Sequence, residues 1–284
     1  MRFKNKNQVI TALITPFTEN NEIDFDALTN LIEFQINNQV DALLILGTTA
    51  ESSTLSDQEK TDVITHCLKI IRQRVPVIMG VGSNCTKTTI ENHKKAKLLG
   101  VDASLIVTPY YNNPSSNDIY HHFKAIHDSI DFPFILYHVP SRTNSKLNIL
   151  DAKKILLLEN CIGMKDATGD PSWKSLIGIP NKLMYSGDDC SAYDYCQSGG
   201  DGVISVFSNL SPIGMKTLLL NNSDFYKNQC AAITCDTNPI PIKWLLKRYK
   251  LIREDNVRMP LQKLRIEYQS ELAKVFLEPS LTTK

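Results

Sequence analysis

The sequence predicts an α/β fold, a (β/α)8 TIM barrel with a C-terminal helical appendage. Three observations predict it. Eight short runs rich in Val, Ile, Leu and Phe recur between residues 9 and 208, and they are almost continuously apolar, as strands buried on both faces are. Segments with a 3.6-residue apolar period alternate with these runs, which is the pattern of a parallel sheet covered by helices. After about residue 222 the strand signal stops and helical periodicity continues alone. Eight successive units close naturally into a barrel. The rival, an open doubly wound sheet, binds a nucleotide at a glycine-rich first turn. The only candidate for that turn, GVGSN at 80–84, lacks the third glycine and follows the third strand.

In chain order, the first run is VITALITPF (9–17), followed by DFDALTNLIEFQINN, where Leu28, Leu31, Ile32 and Ile36 share one helical face. ALLILG (42–47) is the second strand. The helix after it opens on a capping box, Ser56 with Glu59, and carries Val63, Ile64, Cys67, Leu68 and Ile71 on its buried face. VPVIMGVG (75–82) is the third strand, and Gly100 ends the helix that follows. ASLIVTPY (103–110), FPFILYHVP (132–140), CIGMKDAT (161–168), KLMYSGDD (182–189) and GVISVFS (202–208) complete the eight. In CIGMKDAT, strict alternation puts Ile162 and Met164 on one face, and Gly163 and Lys165 on the other. Pro212, after Ser211, stands at a first helical position. The remainder, including PIPIKWLLKRYKLI and PLQKLRIEYQSELAKVFLE, reads as two or three amphipathic helices. The expected division is a catalytic barrel at 1–222 and a helical domain at 223–284, without a flexible linker or repeat.

Composition excludes several classes. Among the 284 residues, 42% are hydrophobic and 21% charged, the net charge is +1, and basic residues form no runs. Neither a nucleic acid nor a membrane surface is therefore an expected partner. Seven scattered cysteines without a CxxC pair argue against a disulfide framework and a zinc site. They suit a reduced cytoplasm. The start, MRFKNKNQ, precedes only a nine-residue apolar run interrupted by threonine, so no signal peptide is expected. None of the six histidines forms an HxH or HExxH arrangement at a strand end, and no metal or other cofactor is expected.

In such a barrel the reactive groups stand at the C-terminal ends of the strands. There this sequence places Thr15, Thr48, Thr49, Tyr110, Tyr111, Tyr137, Lys165, Ser186, Asp188 and Ser208. Hydroxyls dominate, with one amine among them. Burial disfavours an ammonium, and a desolvated lysine is the nucleophile that condenses with a carbonyl carbon to give a Schiff base. The pattern alone equally allows Lys165 to snorkel to water or to pair with Asp166 or Asp188. Schiff-base chemistry needs proton shuttles. Tyr137 ends the strand adjacent to that of Lys165 and could serve, or it could be a core tyrosine with a satisfied hydroxyl. The turn Gly47-Thr48-Thr49 could hold a carboxylate on its backbone N–H groups, or be simple turn chemistry. Arg142 offers a planar fork for a second carboxylate, or is a solvated surface residue.

The pieces ALITPF, LGTTAESSTLS, PVIMGVGSN, VTPYYNNPS, LYHVPSRT, GMKDATGD, YSGDD, GVISV and NPIPIKW occur in order over nearly the whole chain. In them the chain resembles the 4-hydroxy-tetrahydrodipicolinate synthase family, pyruvate-dependent aldolases grouped with N-acetylneuraminate lyase. The resemblance implies a lyase of lysine and diaminopimelate biosynthesis that condenses pyruvate with aspartate 4-semialdehyde. It assigns Lys165 to the imine with pyruvate, Tyr137 to proton transfer, and Thr48 with Tyr111 to a hydroxyl relay. Tyr111 would be contributed across a dimer interface. It further assigns the main chain of Thr48 and Thr49 to the pyruvate carboxylate and backbone groups of Gly187 and Ile204 to the same pocket. Arg142 would hold the carboxylate of the aldehyde. It implies a homotetramer built as a dimer of dimers, and no metal. A sister lyase acting on sugar acids would share Lys165 and Tyr137, but Arg142 in SRT and the GTT turn argue against it. A non-catalytic keto-acid binder would not need to keep the lysine.

Three departures from the family pattern stand out. Ala50 replaces a glycine, which would perturb the turn if that site required a positive φ. His138 replaces the asparagine after Tyr137. In lysine-inhibited members the inhibitor lies beside the tight-dimer interface; Ser52, Ser53, Asn84 and Tyr110 match that site, whereas Asp57, Lys60 and Thr88 stand where those members carry histidine, histidine and glutamate. The missing glutamate removes a partner for the inhibitor's ammonium, and Lys60 adds a like charge. Feedback inhibition is therefore expected to be weak or absent. A titration of activity with L-lysine should leave the rate nearly unchanged, and strong inhibition near physiological levels would refute this.

Overall fold

A computed structural model describes residues 6–276. The first five residues of the charged start and residues 277–284 of the expected C-terminal domain lie outside the described residues. Eight parallel strands close into a barrel in chain order. They are β1 (Gln8–Ala12), β2 (Ala42–Ile45), β3 (Val77–Gly80), β4 (Ala103–Val107), β5 (Phe134–His138), β6 (Cys161–Asp166), β7 (Leu183–Ser186) and β8 (Gly202–Ser205). Each lies within, or one residue from, the apolar run that predicted it. The helices α1 (Phe25–Asn37), α2 (Asp57–Ile71), α3 (Thr86–Leu99) and α4 (Ser116–Ser129) follow the first four strands. A short α5 (Pro140–Thr143) and then α6 (Ile149–Leu156) follow β5. After β6 the crossover is a 3-10 helix, Pro171–Leu176, and α7 (Ala192–Gln197) and α8 (Pro212–Asn221) complete the ring. Three more helices pack on it, α9 (Asp224–Ala232), α10 (Ile240–Arg248) and α11 (Ile266–Val275). Among the described residues no helix is long and apolar enough to cross a membrane.

Local chemistry explains the helix ends. The Ser56 hydroxyl accepts from the Glu59 N–H and the Glu59 carboxylate accepts from the Ser56 N–H, the reciprocal box that starts α2. Ser115 and Asp118 do the same for α4. Gly100 takes φ of +81° and closes α3, a conformation that other residues adopt only with strain.

Alternation along the strands sorts side chains into an outer layer under the helices and an inner one. The inner layer includes Ile10, Leu44, Ile135, Tyr137, Tyr185 and Ile204. Tyr185 is fully buried and donates to the Gln8 side chain at 2.6 Å, so this phenol sits in an apolar barrel with its hydroxyl satisfied. In β6 the sequence expectation fails at one point. Ile162 packs with the inner group while Met164 packs with the outer. The register jumps from Phe134 opposite Cys161 to Ile135 opposite Gly163, so β6 carries one extra residue, a bulge. Alternation resumes at Gly163, and Lys165 lies beside Tyr137 on one side and Tyr185 on the other. Gly163 has no alternative here, because a Cβ would lie 2.0 Å from the carbonyl oxygen of Leu183.

Three histidines are buried as neutral groups. Burial pushes His93, His122 and His138 down from 6.5 to about 4. His138 leaves the strand on the outer side and packs on Trp173 with ring centroids 4.6 Å apart, so the residue replacing the family's asparagine faces away from Tyr137. Because the folded values are depressed, the stability they contribute is complete above 6.5 and is lost as pH falls toward 4. Each amounts to roughly 3 kcal/mol. The urea midpoint should therefore fall steadily between these pH values, with a shallower slope in His138→Asn. An identical slope in the variant would contradict the assignment of His138.

Candidate active site

Lys165 is the fifth residue of β6 and points into the barrel mouth, where it is only 6% exposed. Its Nζ stands 4.4 Å from the centre of the Tyr137 ring. The carboxylates that could have neutralised it are engaged elsewhere. Asp166 accepts from the backbone and hydroxyl of Thr168 at 2.9 and 2.8 Å, on the opposite side of the strand, and Asp188 accepts from the N–H and hydroxyl of Ser191. Burial pushes the Asp166 carboxyl up. Lys165 thus has no ion pair among the described residues, and the snorkelling and paired readings both fail.

A cavity of about 770 Å³ opens above the amine. Thr48, Thr49, Tyr137, Arg142, Lys165 and Gly187 all line it, so six of the eight predicted site residues come together. Gly187 forms the wall closest to the lysine stem. A Cβ there would stand 3.1 Å from Lys165 Cε and 2.7 Å from Ala167 Cβ, so only glycine leaves the amine its path. Arg142 sits exposed on α5 at the entrance, with its guanidinium unpaired among the described residues.

Thr48, Thr49 and Ala50 form a 3-10 turn, closed by the Glu51 N–H donating to the Thr48 carbonyl at 3.0 Å. The positive φ in this segment, +53°, belongs to Glu51 and not to Ala50. Replacing glycine by Ala50 therefore introduces no left-handed strain, and the Ala50 carbonyl accepts from Thr15 at 2.9 Å.

The two remaining predicted residues are placed differently. Tyr111 is 93% exposed, at φ of +73°, and does not line the cavity within this chain. Ile204 is buried in the inner layer with Tyr137, and the chain reaches the cavity wall two residues later, at Val206. The sequence reasoning also missed Asn238, which arrives from the segment before α10, lines the cavity and donates to the Thr49 hydroxyl at 3.0 Å. Its signal was the quoted NPIPIKW, to which no role was attached.

A second cavity of about 660 Å³ lies on the other side of the same wall, sharing Thr48, Tyr137, Val139 and Arg142 with the first. It is lined by Ser52, Ser53, Asp57, Lys60, Thr88 and Tyr110, with Lys60 3.4 Å from Asp57.

The sequence pattern of the dihydrodipicolinate synthetase family matches residues 5–278. The chain belongs to this family. A 4-hydroxy-tetrahydrodipicolinate synthase of Buchnera aphidicola subsp. Cinara cedri is 40% identical over 94% of this chain and 94% of its own length. One of Ehrlichia canis is 40% identical over 96% of this chain and 97% of its own. Among solved structures, the chloride-inhibited dihydrodipicolinate synthase of Acinetobacter baumannii, complexed with pyruvate, superimposes with a TM-score of 0.90 at 36% identity. That match covers 96% of this chain and 98% of the other. A monomeric dihydrodipicolinate synthase variant superimposes with a TM-score of 0.89 at 33% identity, covering 95% and 96%.

Proposed function

We propose that this enzyme is a Schiff-base-forming lyase that condenses pyruvate with L-aspartate 4-semialdehyde to give 4-hydroxy-tetrahydrodipicolinate. The observation that carries the reading is the buried amine of Lys165, free of any counter-ion and set against the Tyr137 ring at the base of the cavity. Membership of the family and the pyruvate complex of the Acinetobacter relative support it.

The Lys165 amine adds to the keto carbon of pyruvate, and the carbinolamine loses water to give an imine. Tyr137, one ring away, passes the protons this step requires, with Thr48 beside it in the relay. The iminium draws electrons from the neighbouring methyl group, which loses a proton to become an enamine carbon. Main-chain N–H groups at Thr48 and Thr49 hold the pyruvate carboxylate, and the backbone at Gly187 shapes the pocket around it, with Ile204 in the inner layer behind. Arg142, unpaired at the entrance, takes the carboxylate of the aldehyde as a two-pronged donor. The enamine carbon attacks the aldehyde, whose oxygen takes up a proton. The substrate's own amine then adds to the imine carbon and expels Lys165, which regenerates the free enzyme and closes the ring.

The exposed Tyr111 supports a shared site, in which this tyrosine completes the relay in a second copy of the chain. The assembly would be a homotetramer built as a dimer of dimers, in the cytoplasm. Each chain would divide near residue 222 into the barrel and its helical domain.

Borohydride added to the protein with pyruvate should attach one reduced pyruvate at Lys165, found by peptide mass, and Lys165→Ala should gain none. Turnover should follow with aspartate 4-semialdehyde and not with N-acetylmannosamine. Absence of an adduct under saturating pyruvate would overturn the enzyme reading, and turnover with the sugar alone would move it to the sister lyases.

A further inference from the structure

Glu51, which ends the Thr48–Ala50 turn at left-handed φ, is a carboxylate only 4% exposed. A buried charge needs a partner, and this one reaches out of the barrel to find it. The fully buried Lys243 on α10 donates to Glu51 Oε1 at 2.5 Å, and the Arg258 N–H donates to Oε2 at 2.8 Å. Lys243 also donates to the Asn256 carbonyl at 2.9 Å and stands 4.0 Å from the centre of the Phe17 ring. The Arg258 guanidinium lies 4.6 Å from the same ring and pairs with Glu59 in the α2 capping box. None of these groups lines either cavity. They hold the turn from behind, while Asn238 holds the Thr49 hydroxyl from the same C-terminal segment.

We infer that Lys243 is a positioning residue for keto-acid capture: through Glu51 it fixes the turn whose backbone N–H groups, at Thr48 and Thr49, grip the substrate carboxylate. The inference rests on the proposed function. Without the ammonium, the Glu51 carboxylate is buried with no cation in contact, and it must move or take up a proton. Either change loosens the turn, Thr48–Ala50, that ends one residue earlier. A carboxylate grip made by main-chain groups is sensitive to sub-ångström displacement, whereas Lys165 and Tyr137, on β6 and β5, stay where the barrel holds them. Substrate binding should suffer more than the covalent step.

The experiment is adduct formation with pyruvate and borohydride, followed by mass across a pyruvate titration, for the full-length protein and its Lys243→Met, Glu51→Gln and doubly substituted forms. Lys243→Met should raise the half-saturating pyruvate concentration about tenfold or more while the plateau rate stays within about threefold. Glu51→Gln should shift it in the same direction. The double variant should be no worse than Lys243→Met, since both changes interrupt one connection. Half-saturation unchanged in folded variants, or a plateau that collapses without a shift, would overturn the inference and leave the proposed function intact. Failure of the unsubstituted protein to form any adduct would instead overturn the function itself. If Lys243→Met does not fold, Glu51→Gln decides by the same reading.

Discussion

An amine enclosed at the mouth of a barrel without a carboxylate to pair with is the constraint around which this molecule is arranged. An ion-paired lysine would have to break its pair before it could bond to carbon. Lys165 does not face that barrier, because Asp166 turns to Thr168 and Asp188 to Ser191. What remains beside the amine is the face of the Tyr137 ring, which attracts a cation weakly compared with a carboxylate. The arrangement holds an ammonium in place without occupying the nitrogen once it is neutral. The same ring carries the hydroxyl that a proton relay requires.

Only a closed barrel makes such a placement rigid. Lys165 is fixed by backbone pairing to β5 on one side and β7 on the other. The bulge in β6 and the bare backbone of Gly163 and Gly187 let these strands approach closely enough to enclose the lysine stem. The second layer of support comes from further along the chain. The turn at Thr48–Ala50 is tied to α10 through Glu51 and Lys243, so the C-terminal helices support the site from behind. They also reach the cavity wall directly, through Asn238 and through Cys230, Ile233, Thr234, Asp236 and Thr237.

The barrel was legible because each strand is an apolar run of the right length and each intervening helix announces itself by period or cap. Ser56 with Glu59, Gly100 and Pro212 all stand where the structure uses them. Lys165, Tyr137, the GTT turn and Arg142 could be found because a strand-end position carries its own chemical meaning in this fold. The bulge at Ile162 could not be found, since it depends on which residue of β5 lies opposite and not on the local pattern. Ala50 drew suspicion that belonged to its neighbour, because the sequence does not reveal which residue of a turn takes positive φ. Nor did it reveal the Glu51–Lys243 pair, whose partners are far apart in the chain and meet only after the C-terminal helices have docked. Tyr111 illustrates the remaining limit, because the role the resemblance gives it needs a second copy of the chain.

The central claim, that the Lys165 amine is placed to capture a keto acid covalently, is tested most directly by diffraction from crystals grown with pyruvate. The account predicts continuous density from Lys165 Nζ to the former keto carbon, with the carboxylate against the main chain of Thr48 and Thr49. Pyruvate bound elsewhere, or lying in the cavity with its keto oxygen intact and Lys165 unmodified, would contradict it.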